Sequence, residues 1–278
     1  MQYVKLSMVQ VLHLFPRLNS SLIDLLERLS PAQWNNPTAC KQWTVKDIAA
    51  HLLDTSLRRI SFGRDNHFSQ ATQELAYEDL LKFLNTLNTD WVDAYKRVSP
   101  QVLIKQISAA QNDFYEYFLT LNLTSPALFP VSWAGEGQSQ TWFDIAREYT
   151  ERWHHQQQIR LATGIGSLLE RELYHPFLEI SMLALPFHYR LKAAAEGVTI
   201  RVTVVGDAGG SWSIIRTNNT WMFTEAEADA GTQVYIDQNI AWMLFSKGID
   251  IFEAQQYWQI SGDYELGFHA LKMTAFMV

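Results

Sequence analysis

The spacing of apolar residues changes character once along this chain, near Gly166, and that change limits the fold more than any other feature. Before it, apolar residues recur with helical period. Leu22, Leu25, Leu26 and Leu29 form an i, i+3, i+4, i+7 stripe, and Thr44 followed by Asp47 reads as the cap of a helix from Val45 to about Asn66. Tyr77 to Val98 and Pro100 to Leu121 read as two more helices, split at Ser99-Pro100. Pro126, Pro130, Gly135 and Gly137 mark a long loop, after which Ser139 or Thr141 caps a helix running to Ala162 and stopped by Thr163-Gly164. Five helical segments with one long connection predict an antiparallel bundle with a helical extra over residues 1–165. After Gly166, a helical stretch from Glu170 to Tyr189, interrupted at Pro176 or Pro186, gives way to β-type runs. These are Val198–Val205, Ser211–Ile215, Thr220–Phe223, Gln233–Ile236 and Trp258–Ser261, with Asn218-Asn219 as a hairpin turn. Helices at Asp237–Ser246 and Tyr264–Phe276 complete an α+β domain over 170–278.

With 278 residues the chain is long enough to bury a core without covalent staples. Lys and Arg number 22 against 29 Asp and Glu, a net charge of −7, and no basic run occurs. A nucleic-acid partner is therefore not expected, because that binding rests on clustered cations. Cys40 is the one cysteine, so no internal disulfide forms, which fits a reducing compartment. The first fifteen residues lack a compact apolar block, and the longest uncharged stretch, Tyr117 to Gly135, is broken by Pro126 and Pro130. The expectation is a cytoplasmic protein with no membrane partner and a small-molecule substrate. The sequence leaves the oligomeric state open.

Chemistry concentrates on the helix containing Glu151-Arg-Trp-His154-His155-Gln-Gln-Gln158. Glu151 and His155 lie one turn and about 40° apart on the wheel, so a carboxylate and an imidazole can converge on one cation, while His154 points about 100° away. The plain alternative is an i, i+4 pair on a solvated stripe with Asp144, Arg147, Glu148 and Gln158. His51, mid-helix beside Ile48 and Leu52, reads by itself as a hydrogen-bonded core residue more readily than as a ligand. In a bundle, however, a His from one helix and a Glu-x3-His from another supply three ligands and leave a coordination position open. Cys40 reads as packing, and Gly206-Asp-Ala-Gly209-Gly210, which leads into a strand, reads as a turn and not a phosphate cradle.

Two segments carry a family resemblance. Pro37-Thr38 with Trp43-Thr44-Val45-Lys46-Asp47 and His51-Leu52 resembles the N-terminal signature of the DinB-like bundles, more specifically the metal-binding domain of mycothiol-dependent maleylpyruvate isomerases. Glu151-Arg152-Trp153-His154-His155-Gln156-Gln157 resembles that family's second signature. Gly248 to Val278, with Ile260-Ser-Gly-Asp263, is similar to its sterol-carrier-like C-terminal domain.

The resemblance implies an up-down four-helix bundle followed by a smaller sterol-carrier-like α+β domain. It also implies metal ligation by His51, Glu151 and His155, and a low-molecular-weight thiol that adds to an electrophilic substrate, as isomerase or S-transferase. Two imidazoles and one carboxylate suit zinc, and also nickel or iron(II). A 2-His-1-carboxylate oxygenase ranks lower, because such sites usually sit on β-barrels. The alternative from a different class is a non-catalytic metal- and hydrophobic-ligand-binding module, in which His154, His188 or His269 closes the fourth position.

Overall fold

A computed structural model describes residues 8–67, 77–225 and 231–276. The first seven residues, which the leader reading partly uses, lie outside the described residues. Two compact units interleave along the chain: Met1–Val11 with Thr124–Glu151 and Leu168–Val278, and Leu12–Leu123 with Arg152–Ser167. The division falls inside one continuous helix, after Glu151.

In the helical unit, α1 (Phe15–Glu27) starts about two turns before the apolar stripe, with Pro16 in its first turn, where a missing N–H costs nothing. Leu22, Leu25, Leu26 and Leu29 are all buried. They pack with Trp34, Val45, Ile48, Leu52, Leu53, Leu103 and Ile107 in one core. α2 (Val45–Arg59) opens on a full capping box: the Thr44 hydroxyl accepts from the Asp47 amide, and Asp47 accepts from the Thr44 amide at 2.9 Å. A π-helical turn, Ile60–Arg64, follows it. α3 (Tyr77–Tyr95) and α4 (Pro100–Leu119, capped by Ser99) pack against α2. α5 (Thr141–Thr163) ends at Gly164, whose φ of +69° is the left-handed conformation glycine supplies. The Ser139 hydroxyl, just before α5, accepts from the Val131 amide at 2.9 Å.

The other unit holds a five-stranded sheet of order β3-β2-β1-β4-β5. Its strands are β1 (Thr199–Val205), β2 (Gly210–Thr217), β3 (Thr220–Phe223), β4 (Thr232–Asp237) and β5 (Trp258–Ser261). β1 and β4 pair in parallel and the other neighbours antiparallel. Asn218 and Asn219 both take positive φ, 49° and 59°, as a tight primed hairpin turn demands. The 206–210 segment is a turn, and a Cβ on Gly209 would fall 1.9 Å from the Val204 carbonyl. α6 (Arg171–Met182) passes through Pro176 unbroken, and the interruption comes before α7 (Leu185–His188), which carries Pro186 in its first turn. α8 (Gln238–Phe245) follows β4 directly. α9 (Tyr264–Leu271) is shorter than expected. Past it, buried Met273, Ala275 and Phe276 run on without helical turns, and the Ala275 amide donates to the last carbonyl of α8.

His188 and His269 stack at 4.1 Å, and each ring donates from Nε2 to the other's backbone carbonyl, at 2.7 and 3.1 Å. Burial pushes His188 down from 6.5 to about 4, against the pull of its hydrogen bond and reinforced by His269, Arg190 and Lys192. The unfolded chain takes up this proton near 6.5 and the folded one near 4. The clamp's contribution is therefore present above 6.5 and lost as the pH falls toward 4. That linkage is on the order of 3 kcal/mol. Urea unfolding from pH 7 to 4 should show a wild-type decline that His188→Gln flattens, and parallel profiles would refute it.

Candidate functional site

The site is built on α2 and α5. The chain enters α2 through a tight segment in which Pro37 bridges to Thr44 and the Thr38 hydroxyl donates to the Trp43 carbonyl at 2.8 Å. This closure lays the half-buried Trp43 indole on His51, with ring centroids 4.7 Å apart, and near His155 at 6.1 Å. His51 and His155 meet edge-on at 4.9 Å. Glu151, one turn before His155 on α5, completes the group. One ligand-type atom from each of His51, Glu151 and His155 lies within 4.8 Å of the others. Among the described residues no fourth His, Cys, Asp or Glu belongs to this cluster. Both imidazoles are buried and the carboxylate is half-buried.

The spare histidines are otherwise engaged. His154 is outside the cluster, and its Nε2 meets Gln158 Nε2 at 3.2 Å. His188 and His269 are committed to each other. Cys40, half-buried, packs beside the core of the helical unit.

The solvated stripe considered for α5 is not there. Asp144 is 0% exposed, Glu148 6% and Gln158 4%. In place of solvent, Asp144 and Glu148 have Arg147, which donates to them at 2.8 and 2.7 Å. Burial pulls the Arg147 pKa down, but Glu148, Asp144 and, more weakly, Glu151 outweigh it and leave it raised. Arg147 therefore links this ion cluster electrostatically to the site carboxylate. On α2, one turn past His51, burial raises Asp54 to about 6 against the opposing charge of Arg58. Sequence reasoning missed Trp43 as a ring neighbour of both histidines, and it missed Gln158. Only their nearness in sequence to the two motifs could have suggested either.

A helix-rich part bearing two imidazoles and a carboxylate in one cluster, with a mixed sheet elsewhere, defines an α and β protein with a metal-ligand-type donor set. Residues 15–160 match the family model described as the mycothiol maleylpyruvate isomerase N-terminal domain, and the chain belongs to that family. Its fold is shared by the crystal structure of the mycothiol-dependent maleylpyruvate isomerase (TM-score 0.54, 10% identity, 86% of this chain and 88% of that one). A histidine-to-alanine mutant of that isomerase is also similar, with TM-score 0.55, 10% identity and 92% of this chain over 93% of that one. No curated protein matches the sequence. Among the described residues, no helix is long and apolar enough to cross a membrane.

Proposed function

We propose that His51, Glu151 and His155 hold one divalent metal ion, and that the protein is a thiol-using isomerase or S-transferase acting on a small electrophilic substrate. The observation that carries the reading is the convergence of these three donors within 4.8 Å in a member of this family. The donor set fits zinc, and also nickel or iron(II). Three protein donors fall short of the four that close a structural zinc site, which leaves room for an exogenous ligand. A bound divalent cation lowers the pKa of a coordinated thiol, about 8.5 when free, so that it is deprotonated at neutral pH. We read residues 1–165 as the DinB-like four-helix bundle that carries this site and 170–278 as a smaller sterol-carrier-like domain.

The chain's own residues have definable tasks. His51 and His155 present imidazole nitrogens from buried rings. Glu151 supplies the single negative charge of the donor set, and Arg147 interacts favourably with it. The Trp43 indole packs tilted against His51 and lies near His155, which helps to fix the position of the rings. The reaction class follows from sulfur chemistry. Addition of a thiolate to an activated double bond forms a C–S bond and leaves a single bond free to rotate. Expulsion of the same thiolate restores the double bond in the other geometry, with no net redox change. If the C–S bond is kept and the carbanion takes a proton, the result is S-transfer.

The test is to load the protein with cobalt(II) and add mycothiol, glutathione or cysteine one at a time. A new sulfur-to-cobalt charge-transfer band with one of them, followed by isomerisation or consumption of maleylpyruvate, is the expected result. A cobalt spectrum that no thiol perturbs would leave a non-catalytic metal-binding module as the better description.

A further inference from the structure

Gln158 follows His154 by four residues and His155 by three, so on α5 one amide can reach both rings. It does. Gln158 Oε1 lies 2.8 Å from His155 Nδ1, and Gln158 Nε2 lies 3.2 Å from His154 Nε2. All three side chains are buried, with 4, 7 and 8% exposure for Gln158, His154 and His155.

An amide oxygen only accepts and an amide nitrogen only donates, so this arrangement fixes both tautomers. His155 must carry its hydrogen on Nδ1, which leaves the Nε2 lone pair for a ligand. His154 must carry its hydrogen on Nδ1 and accept at Nε2. If the amide were turned over, His155 would have to accept at Nδ1 and bear its hydrogen on Nε2, the form that cannot bind a metal there. His154 is the second partner of the amide and holds it by its other end, in the orientation that pairs Oε1 with His155.

We propose that Gln158, anchored by His154, is a positioning residue that holds His155 in its metal-binding tautomer and rotamer. This rests on the reading of His51, Glu151 and His155 as a metal site. It gives His154, which is not in the cluster, a part in the site through Gln158. Outer partners of this kind are typically worth 10–100-fold in metal affinity.

The test uses the full chain. In the metal-free protein, long-range 1H–15N spectra of the imidazoles should show His155 as the Nδ1–H tautomer in the wild type and as a mixture in Gln158→Leu. Competition against a chromophoric chelator should show zinc and cobalt(II) binding about 10–100-fold weaker in Gln158→Leu. Gln158→Glu, which keeps an acceptor for His155, should recover most of the affinity. Metal-free melting curves show whether a variant folds, and if Gln158→Leu does not, the wild-type tautomer and Gln158→Glu decide. An Nε2–H tautomer in the wild type, or affinity in folded Gln158→Leu equal to wild type, would overturn the proposal and leave the metal site standing. A wild type that takes up no metal would overturn both.

Discussion

His51→Ala and His155→Ala should each abolish divalent-metal retention, taking the purified protein from about one ion per chain to none measurable by elemental analysis. Each variant removes one of only three donors, whose ligand atoms lie within 4.8 Å of one another. Losing a donor costs more than losing an outer partner, so affinity should fall by more than about 100-fold. Glu151→Gln keeps an oxygen but removes the negative charge, and its loss should lie between wild type and the histidine variants. His154→Ala should keep the ion with a much smaller loss, because its ring is not in the cluster. Metal bound to the folded chain alone adds stability, so chelation should lower the wild-type melting temperature and leave that of His51→Ala unchanged. Equal metal loss in His154→Ala and His155→Ala would defeat the assignment of donors.

Much of the geometry behind this expectation was legible in the sequence, for identifiable reasons. The Thr44 and Asp47 box fixes where α2 begins, and therefore which way His51 faces. The i, i+4 spacing of Glu151 and His155 brings both to one side of α5 whatever surrounds the helix. The Asn218-Asn219 turn sets the β2–β3 hairpin because few residues tolerate two positive φ values in succession. Each of these signals is local. What escaped depends on tertiary surroundings. A polar stripe at helical spacing looks solvated, and nothing in the composition of Asp144, Arg147, Glu148 and Gln158 says that other parts of the chain cover it. The overlong expectation for the closing helix has a similar cause. Met273, Ala275 and Phe276 are apolar because they are buried, and burial without helical period reads like helix in a short window. Trp43 escaped because ring contacts made through a turn have no sequence period.

The covered stripe on α5 also sets the largest expected effect on stability. Arg147→Leu should destabilise the protein by roughly 3–5 kcal/mol, the range found when one partner of a buried ion cluster is removed. Asp144 and Glu148 have side chains only 0 and 8% exposed, while that of Arg147 is 18% exposed, so water cannot easily replace the lost cation. Two carboxylates would then remain buried on α5 just before Glu151 without the Arg147 charge beside them. Urea unfolding at neutral pH measures the loss. Adding Asp144→Asn and Glu148→Gln to the same chain should restore part of the stability at neutral pH, since the two buried charges that face Arg147 are removed with it. The effect should also reach the site, because Glu151 loses the favourable charge of Arg147. A loss below about 1 kcal/mol at neutral pH is what an exposed pair would give, and it would mean that this face of α5 is open to solvent after all.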